Sequence, residues 1–358
     1  MLIKDNRLKA AIISLLTLIL FVLIFSVIKS LGKPPLSESK NDQQNTVEKR
    51  KIKIGFSLGT LKEERWIRDR DILMAKAREL DAEIIVQNAN NDDQDQLEQV
   101  EYLLEQGIDV LIIVPNDYYK SADAVDLAKR QGVPVISYDR LVLNTNVDLY
   151  ITFDNVMVGQ LMATALLEKV KLGNLLIING AKNDNNTAMI KKGYDKILKP
   201  YESEGEINIV GEEWAPKWLK EYAFSVVDTA LQKDTKINAI IAGNDSLAEG
   251  AIEALSEHRL TGKVIVIGQD ADLGACQRIV EGTQFMTIYK PIEKLAESTV
   301  KMAIKMVERK SLNISETIFN GKYNVPYYVL EPIAVKKDNI DSTIIRDGFH
   351  QKDDVYRK

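Results

Sequence analysis

Two apolar runs in this chain lack the alternation of hydrophobic and polar residues that marks a half-exposed strand. They are residues 110–114 (VLIIV) and 264–267 (VIVI). Such runs are typical of parallel strands that are covered by helices on both faces. Between the runs, apolar residues recur at helical spacing, as in residues 97–104. This succession of strand and helix predicts a doubly wound α/β fold.

The pattern predicts ten strands. They span residues 52–58, 83–88, 110–115, 133–138, 149–153, 175–179, 207–211, 239–242, 264–268 and 285–289. A chain of 358 residues is long enough for two compact domains. Two sheets of five or six strands fit that length better than one very large sheet. The predicted architecture is therefore two doubly wound parallel-sheet lobes.

The N-terminal segment is strongly apolar. Residues 10–28 contain only Ser14, Thr17 and Ser26 as polar residues, and a helix of this length spans about 28 Å, close to the thickness of a bilayer core. Three basic side chains precede it within residues 1–9, which favours a cytoplasmic N-terminus. The sequence predicts one transmembrane anchor at residues 10–28, with everything downstream outside the cell membrane.

A cleavable signal peptide is the alternative interpretation of this segment. Such peptides usually have a shorter apolar stretch and end in small residues. Residues 29–34 (KSLGKP) contain no Ala-x-Ala-like site, which favours an uncleaved anchor. Residues 29–50 are mostly polar and predict a flexible tether with a root-mean-square span of about 26 Å.

The charge balance argues against a nucleic-acid partner. The chain has 47 basic and 52 acidic residues, a net charge of −5, and no block of Lys and Arg that could follow a phosphate backbone. Cys276 is the one cysteine, so no intramolecular disulfide can form. Cysteine usage therefore does not decide between a reducing and an oxidising compartment.

Polar and aromatic side chains follow most of the predicted strands. In doubly wound sheets, ligands bind beyond the carboxyl ends of the strands. The candidate residues at these ends are Arg65, Trp66, Asp139, Arg140, Asn186, Trp218, Asn244, Asp270 and Lys290. Carboxylates and amides accept hydrogen bonds from sugar hydroxyls, Arg and Lys donate to them, and indole stacks on the C–H face of a pyranose. Any one of these residues could instead cap a helix, but the shared chemistry of the set predicts a sugar site.

Three further patterns suggest other chemistry and are weaker. Residues 55–59 (GFSLG) match the G-x-S-x-G motif of hydrolases, but the base would have to be His258 or His350. Residues 91–95 have the spacing of a calcium loop, yet the glycine and glutamate that the loop needs are missing. Cys276 has no basic neighbour in sequence to activate it. The sequence thus predicts no enzyme, no metal site and no cofactor.

Short motifs at the strand ends resemble those of the periplasmic D-xylose-binding proteins, within the type I family of sugar receptors. The motifs are residues 64–66 (ERW), 69–71 (DRD), 138–140 (YDR), 153–155 (FDN), 184–186 (DNN), 268–272 (GQDAD), 287–291 (TIYKP) and 347–350 (DGFH). The similarity covers about residues 51–350, which is nearly everything outside the anchor and tether.

The resemblance implies two α/β lobes that are joined by a three-segment hinge, with the sugar in the cleft between them. The implied N-terminal lobe comprises residues 51–154 and 290–325, and the implied C-terminal lobe comprises residues 155–289 and 326–358.

The resemblance also implies a role for each candidate residue. These roles are cationic donors (Arg65, Arg140 and Lys290), acidic acceptors (Asp139 and Asp270), amide contacts (Asn186 and Asn244) and indoles that sandwich the sugar ring (Trp66 and Trp218). The chain departs from the family pattern at Gly59 and Thr60, where an acidic pair is common, and in its apparent anchor.

The expected ligand is D-xylose, with other pentoses as further candidates. The expected partner is a membrane sensor histidine kinase, because an anchor confines the protein to the plane of its partner and raises the effective concentration. Delivery to an ABC sugar permease is the alternative. A transcription repressor of the same fold would need a DNA-binding headpiece where this chain has its apolar segment.

Overall fold

A computed structural model describes residues 50–357, together with Ile19 and Ser26. The predicted anchor at residues 10–28, apart from these two, and the tether at residues 29–49 lie outside the described residues. Within the described part of the chain, no helix is both long enough and apolar enough to cross a membrane.

From Lys51 onward the chain forms one compact unit. Its strands in chain order are β1 (Ile52–Leu58), β2 (Ala82–Asn88), β3 (Val110–Val114), β4 (Val135–Tyr138), β5 (Leu149–Phe153), β6 (Gly173–Asn179), β7 (Ile207–Trp214), β8 (Ala239–Ala242), β9 (Ile265–Ile267), β10 (Thr287–Tyr289), β11 (Thr317–Phe319), β12 (Asn324–Leu330) and β13 (Ile333–Val335). Its α-helices are α1 (Glu64–Glu79), α2 (Asp93–Glu105), α3 (Ala122–Arg130), α4 (Asn155–Lys169), α5 (Asn185–Ser203), α6 (Lys220–Gln232), α7 (Asp245–Glu257), α8 (Leu273–Glu281), α9 (Ile292–Val307) and α10 (Lys352–Tyr356).

The first lobe is built on a seven-stranded sheet with the order β11-β12-β5-β4-β3-β1-β2. All neighbouring pairs are parallel except β11 with β12. Alternate side chains of β3 enter two different cores: Ile112 packs with helices α1 and α9, and Ile113 packs with α2 and α3. Because both faces are covered, all five residues of β3 are buried, as the unbroken apolar run predicts.

The second lobe is built on a parallel four-stranded sheet with the order β7-β6-β8-β9. Ile177 packs with α4 and α5 on one face, and Ile178 packs with α6 and α7 on the other. A separate antiparallel pair, β10 with β13, adjoins this lobe. The α/β type I fold with parallel sheets is thus confirmed.

All ten predicted strands are present, with ends that shift by a few residues, but β11, β12 and β13 were not predicted. β11 and β13 have only three residues each, too few for a periodic pattern. β12 contains Pro326, and proline argues against a strand inside a sheet. β7 also continues to Trp214, beyond the predicted end at residue 211, with a register shift against β6 between Leu175 and Leu176.

The chain passes between the lobes three times in the described part. The first two crossings follow β5 and β10, where residues 154–155 and 290–291 lead into helices of the opposite lobe. The third crossing lies at a different position from the lobe boundary at residue 326 that the resemblance implies. β12 pairs with β5 of the first sheet from Tyr327 to Leu330, so its backbone hydrogen bonds hold residues 327–330 in the first lobe. The crossing therefore falls between Leu330 and Ile333.

Candidate functional site

The carboxyl ends of strands from both lobes meet around one narrow cavity. The lining residues are Glu63, Arg65, Trp66, Asp139, Arg140, Asp184, Asn186, Trp218, Asn244, Gln269, Asp270 and Lys290. All nine residues that the sequence singled out are among them, although their contact with a ligand stays a prediction. Glu63, Asp184 and Gln269 are additional.

Arg65 is the central cation of the cavity. It lies in the first turn of α1, where the helix aims it past the end of β1, and it is almost fully buried. Its guanidinium contacts Asp69 at 3.2 Å, Asp139 at shorter range and Asp270 at 3.6 Å. Burial by itself would lower the pKa of Arg65, but these carboxylates outweigh it and raise the pKa well above its usual value. One permanent positive charge therefore holds three carboxylates together.

Asp139 is held by both its backbone and its side chain. Its carbonyl oxygen accepts from the hydroxyls of Thr152 at 2.7 Å and Tyr150 at 3.0 Å, and its Oδ2 accepts from Asn186 Nδ2 at 3.1 Å. Burial acts to raise the pKa of Asp139, but Arg65 and other nearby cations lower it below the usual value. Asp139 is therefore an ionised acceptor at neutral pH.

Asp69 stands behind Arg65 and is fully buried. Its carboxylate accepts from Arg65 and from the hydroxyl of Tyr138. Burial raises the pKa of Asp69 to about 6, in spite of the opposing effect of Arg65. Asp69 thus fixes the position of the guanidinium without lining the cavity.

Asp270 and Lys290 form the acidic and basic pair of the opposite wall. Lys290 Nζ donates to Asp270 Oδ1 at 3.2 Å. Asp270 has φ of +97° and Ala271 has φ of +56°, a region that residues other than glycine seldom occupy and that is often found at functional sites. The unusual backbone turns the Asp270 side chain toward Arg65 on the other lobe.

The two predicted indoles both line the cavity. The guanidinium groups of Arg65 and Arg140 lie 4.6 and 5.0 Å from the ring centroid of Trp66. Trp218 lies on a short 3-10 turn after β7, and its ring occupies the space beside Gly180, where a Cβ would approach the ring carbons to 2.1 Å. A glycine at position 180 is therefore required for this placement of Trp218. The sandwiching of a sugar ring by the two indoles stays a prediction.

The lobes contact each other directly through this cavity. Arg140 Nε of the first lobe and Asp184 Oδ2 of the second are 2.7 Å apart and both are buried. Burial raises the pKa of Asp184, with Arg140 opposing that shift. The cavity measures about 30 Å³, far below the roughly 300–1,000 Å³ of typical ligand pockets. A larger ligand can enter only if the lobes part and these side chains exchange partners.

Three buried polar atoms of the cavity lack a hydrogen-bond partner among residues 50–357. They are Glu63 Oε2, Trp218 Nε1 and Gln269 Oε1. Buried polar groups are nearly always paired, and leaving one unpaired costs about 1–3 kcal/mol. By contrast, Asn244 Oδ1 is used as a helix cap and accepts from the backbone of Leu247 at 2.9 Å. Three unpaired polar groups of the described residues thus converge on this one cavity.

A model of the periplasmic binding protein domain matches residues 54–311. The chain belongs to the periplasmic binding protein family. It is 42% identical to a D-xylose-binding periplasmic protein of Haemophilus influenzae over 85% of this chain and 92% of that protein. It is 41% identical to a D-xylose-binding periplasmic protein of Escherichia coli over 86% of this chain and 93% of that one.

Solved structures of this family share the fold. The carbohydrate transporter solute-binding protein of Chloroflexus aurantiacus in complex with D-glucose aligns with a TM-score of 0.81 at 28% identity, over 85% of this chain and 98% of that one. These relatives are binding proteins and not enzymes, which confirms the prediction that this periplasmic binding protein is not an enzyme.

The structure also places the residues of the three weaker patterns. Ser57 is fully buried and its Oγ accepts from Gln96 Nε2 at 3.3 Å. His258 contacts Asp228 at 2.8 Å, and His350 contacts the carbonyl oxygen of Ala271 at 2.8 Å. Ser57 is therefore a core residue, and each histidine has a structural partner elsewhere.

The remaining two patterns are likewise explained by local structure. Asp93 contacts Asn116 and the ammonium of Lys120, and Asp92 caps α2 through the backbone nitrogens of residues 94 and 95. Cys276 is buried, and burial raises the pKa of its thiol. The acidic stretch thus stabilises a helix start, and the thiol stays protonated.

Sequence reasoning missed Glu63, Asp184 and Gln269 as lining residues. Asp184 belongs to the DNN motif, and Gln269 immediately precedes Asp270, so adjacency to a predicted residue was the available signal. Glu63 precedes the ERW motif, but the direction of a side chain at a helix start cannot be read from spacing.

Proposed function

We propose that this protein is an extracytoplasmic D-xylose-binding protein whose two lobes close on the sugar. The observation that carries the proposal is the set of charged and unpaired polar groups that converge on the cavity between the lobes. D-xylose is chosen because the two relatives at 41 and 42% identity are named for that sugar.

The cavity offers the chemistry that a sugar needs. A hydroxyl both donates and accepts, so Asp139 and Asp270 can accept a hydrogen bond from it while Arg65 and Lys290 donate to its oxygen. The amide of Asn186 can do either. The indoles supply apolar surface for the C–H faces of the ring. In this proposal, each polar side chain that now bonds to another side chain across the cavity bonds to a sugar hydroxyl instead.

Hinge motion is part of the proposed function. Arg65, Trp66 and Arg140 belong to the first lobe, while Asn186 and Asp270 belong to the second. A sugar can contact both sets only when the lobes approach, so it favours the closed arrangement by its differential affinity. Closure also removes water, which strengthens each polar contact.

Selection of a pentose follows from the same argument. Xylopyranose lacks the hydroxymethyl group of glucose. In a cavity closed to the size of a pentose, side chains fill the space that the extra group would need, and a hexose then loses its fit.

D-Xylose is expected to bind the full-length protein and to change its tryptophan fluorescence. Trp66 and Trp218 line the cavity, whereas Trp214 packs near Lys182 outside it. Trp218→Phe should therefore reduce the fluorescence change, and Trp214→Phe, the matched control, should retain it. Isothermal titration that gives no heat with D-xylose but clear heat with another monosaccharide would reject the assignment of the sugar.

The role that we propose downstream of binding is sensing. In this proposal residues 10–28 anchor the protein in the cell membrane with a cytoplasmic N-terminus, and the closed lobes engage a membrane sensor histidine kinase. The apolar segment supports it, because an anchor raises the effective concentration of a membrane partner. Delivery to an ABC sugar permease is the second candidate, and it is favoured by the relatives, one of which is named as a transporter component.

Two measurements separate these roles. The anchor requires that the mature protein keeps its first residues and stays with membranes after alkaline carbonate washing, and an N-terminus near Lys33 would reject it. Sugar uptake is then compared with and without this protein in cells whose xylose transporter is expressed from a constitutive promoter. Normal uptake without the protein supports sensing, and impaired uptake supports transport.

A further inference from the structure

Glu63 occupies an unusual position at the start of α1. It is the residue before the first helical turn, with the extended backbone (φ −80°, ψ 143°) that a helix cap requires. Short polar side chains at this position usually accept from backbone nitrogens of the helix, but the longer Glu63 makes no such hydrogen bond. Its carboxyl group lines the cavity instead.

One oxygen of this carboxyl group is left over. Oε2 of Glu63 is buried and has no hydrogen-bond partner among residues 50–357. Burial raises the pKa of Glu63, and the nearby Arg140 opposes that shift. A buried carboxylate oxygen is costly unless it accepts a hydrogen bond, so this oxygen is suited to a donor that comes from a ligand.

The other acids of the cavity are differently placed. Asp139 is bonded to Arg65 and Asn186, and Asp270 to Lys290. These carboxylates already accept from protein donors, which compete with a sugar hydroxyl. Glu63 Oε2 has no such competing donor among residues 50–357.

We propose that Glu63 is a ligand-binding and specificity-determining residue, whose free carboxylate oxygen accepts a hydrogen bond from one particular hydroxyl of the sugar. The inference rests on the proposed sugar-binding function. A site that is built to bond a hydroxyl rejects an analogue that lacks it, because the buried acceptor is then left unpaired. Glu63 thus selects for a sugar with a hydroxyl at that ring position.

The test compares Glu63→Leu with the wild type, both as full-length protein, by isothermal titration. The ligands are D-xylose and its single-deoxy analogues at each ring carbon that carries a hydroxyl. Loss of a hydrogen bond to a charged acceptor is expected to weaken D-xylose binding about tenfold or more in the variant. For the one analogue that lacks the partner hydroxyl, Glu63→Leu should bind at least as tightly as the wild type, because the variant has no acceptor to leave unpaired.

Glu101→Leu is the matched control, since Glu101 is an exposed acidic residue on α2 outside the cavity, and it should bind every ligand as the wild type does. Glu63→Gln, which keeps one acceptor oxygen, should fall between wild type and Glu63→Leu. Unchanged D-xylose affinity in Glu63→Leu, or an equal loss for every analogue, would overturn the inference while the proposed function stands. A wild-type protein that binds no sugar would instead contradict both the inference about Glu63 and the proposed function.

Discussion

Asp270→Asn is expected to abolish measurable D-xylose binding while the protein stays folded. The carboxylate faces two cations, Lys290 at 3.2 Å and Arg65 at 3.6 Å. An amide removes the negative charge from both and replaces a strong acceptor by a weaker one, so a loss of about 100-fold or more is expected from charge-assisted hydrogen bonds. Asparagine tolerates the φ of +97° at this position better than alanine does.

The measurement is isothermal titration together with circular dichroism. Asp81→Asn is a suitable control, because Asp81 also has a positive φ of 56° but is exposed and pairs with Lys51 on the surface. It should bind as the wild type does. Normal affinity in Asp270→Asn, with an unchanged spectrum, would exclude Asp270 from the site. In cells, this variant should reach its usual location yet give no response to xylose.

Arg65→Met is expected to lower the free energy of unfolding by about 3–5 kcal/mol, the usual cost of removing one partner from a buried ion pair. The substitution leaves Asp69 and Asp139 buried without their cation, and both are almost completely inaccessible to solvent. Denaturant titration measures the loss. Arg70→Met on the same helix is the control, since Arg70 pairs with the exposed Asp71, and such surface pairs contribute about 0–1 kcal/mol.

The decrease in the free energy of unfolding of Arg65→Met should also depend on pH. Without the cation, the pKa of Asp69 rises further above its value in the unfolded chain, and the pKa of Asp139 rises from its lowered value. The folded variant then takes up protons more readily than the unfolded chain does, so its stability increases as pH falls and decreases as pH rises. An unfolding free energy equal to that of Arg70→Met, or a deficit that grows on acidification, would contradict the proposed role of Arg65 as the shared cation.

The positions of the nine candidate residues could be predicted from the sequence because of topology. In a parallel sheet the carboxyl ends of all strands share one edge, so residues such as Asp139 and Asp270 converge whenever the strands are placed correctly. That placement needed only the buried apolar runs. The additional strand β12 was not predicted because it contains Pro326. For the same reason the predicted lobe boundary at residue 326 differs from the observed crossing.

The pairings inside the cavity could not be predicted in this way. The contact of Arg140 with Asp184 depends on how the two lobes face each other, and no local pattern encodes that relation. Glu63 presents a similar difficulty, because its sequence position is equally suited to capping α1 or to lining the cavity. The three-dimensional path of the neighbouring backbone decides whether Glu63 caps α1 or lines the cavity.

The ion pair between Arg140 and Asp184 has a consequence for the output of a sensor or a transporter. Since each residue belongs to a different lobe, the two lobes contact each other without any sugar between them. A partner that recognises closed lobes would then receive a resting level of activation, and sugar could add only to that level. Because sugar entry requires Arg140 and Asp184 to exchange partners, a weaker pair would lower the background and would also lower the sugar concentration needed for a half-maximal response. In the proposed sensing role, this contact between the lobes would therefore help to set the sugar concentration that is detected.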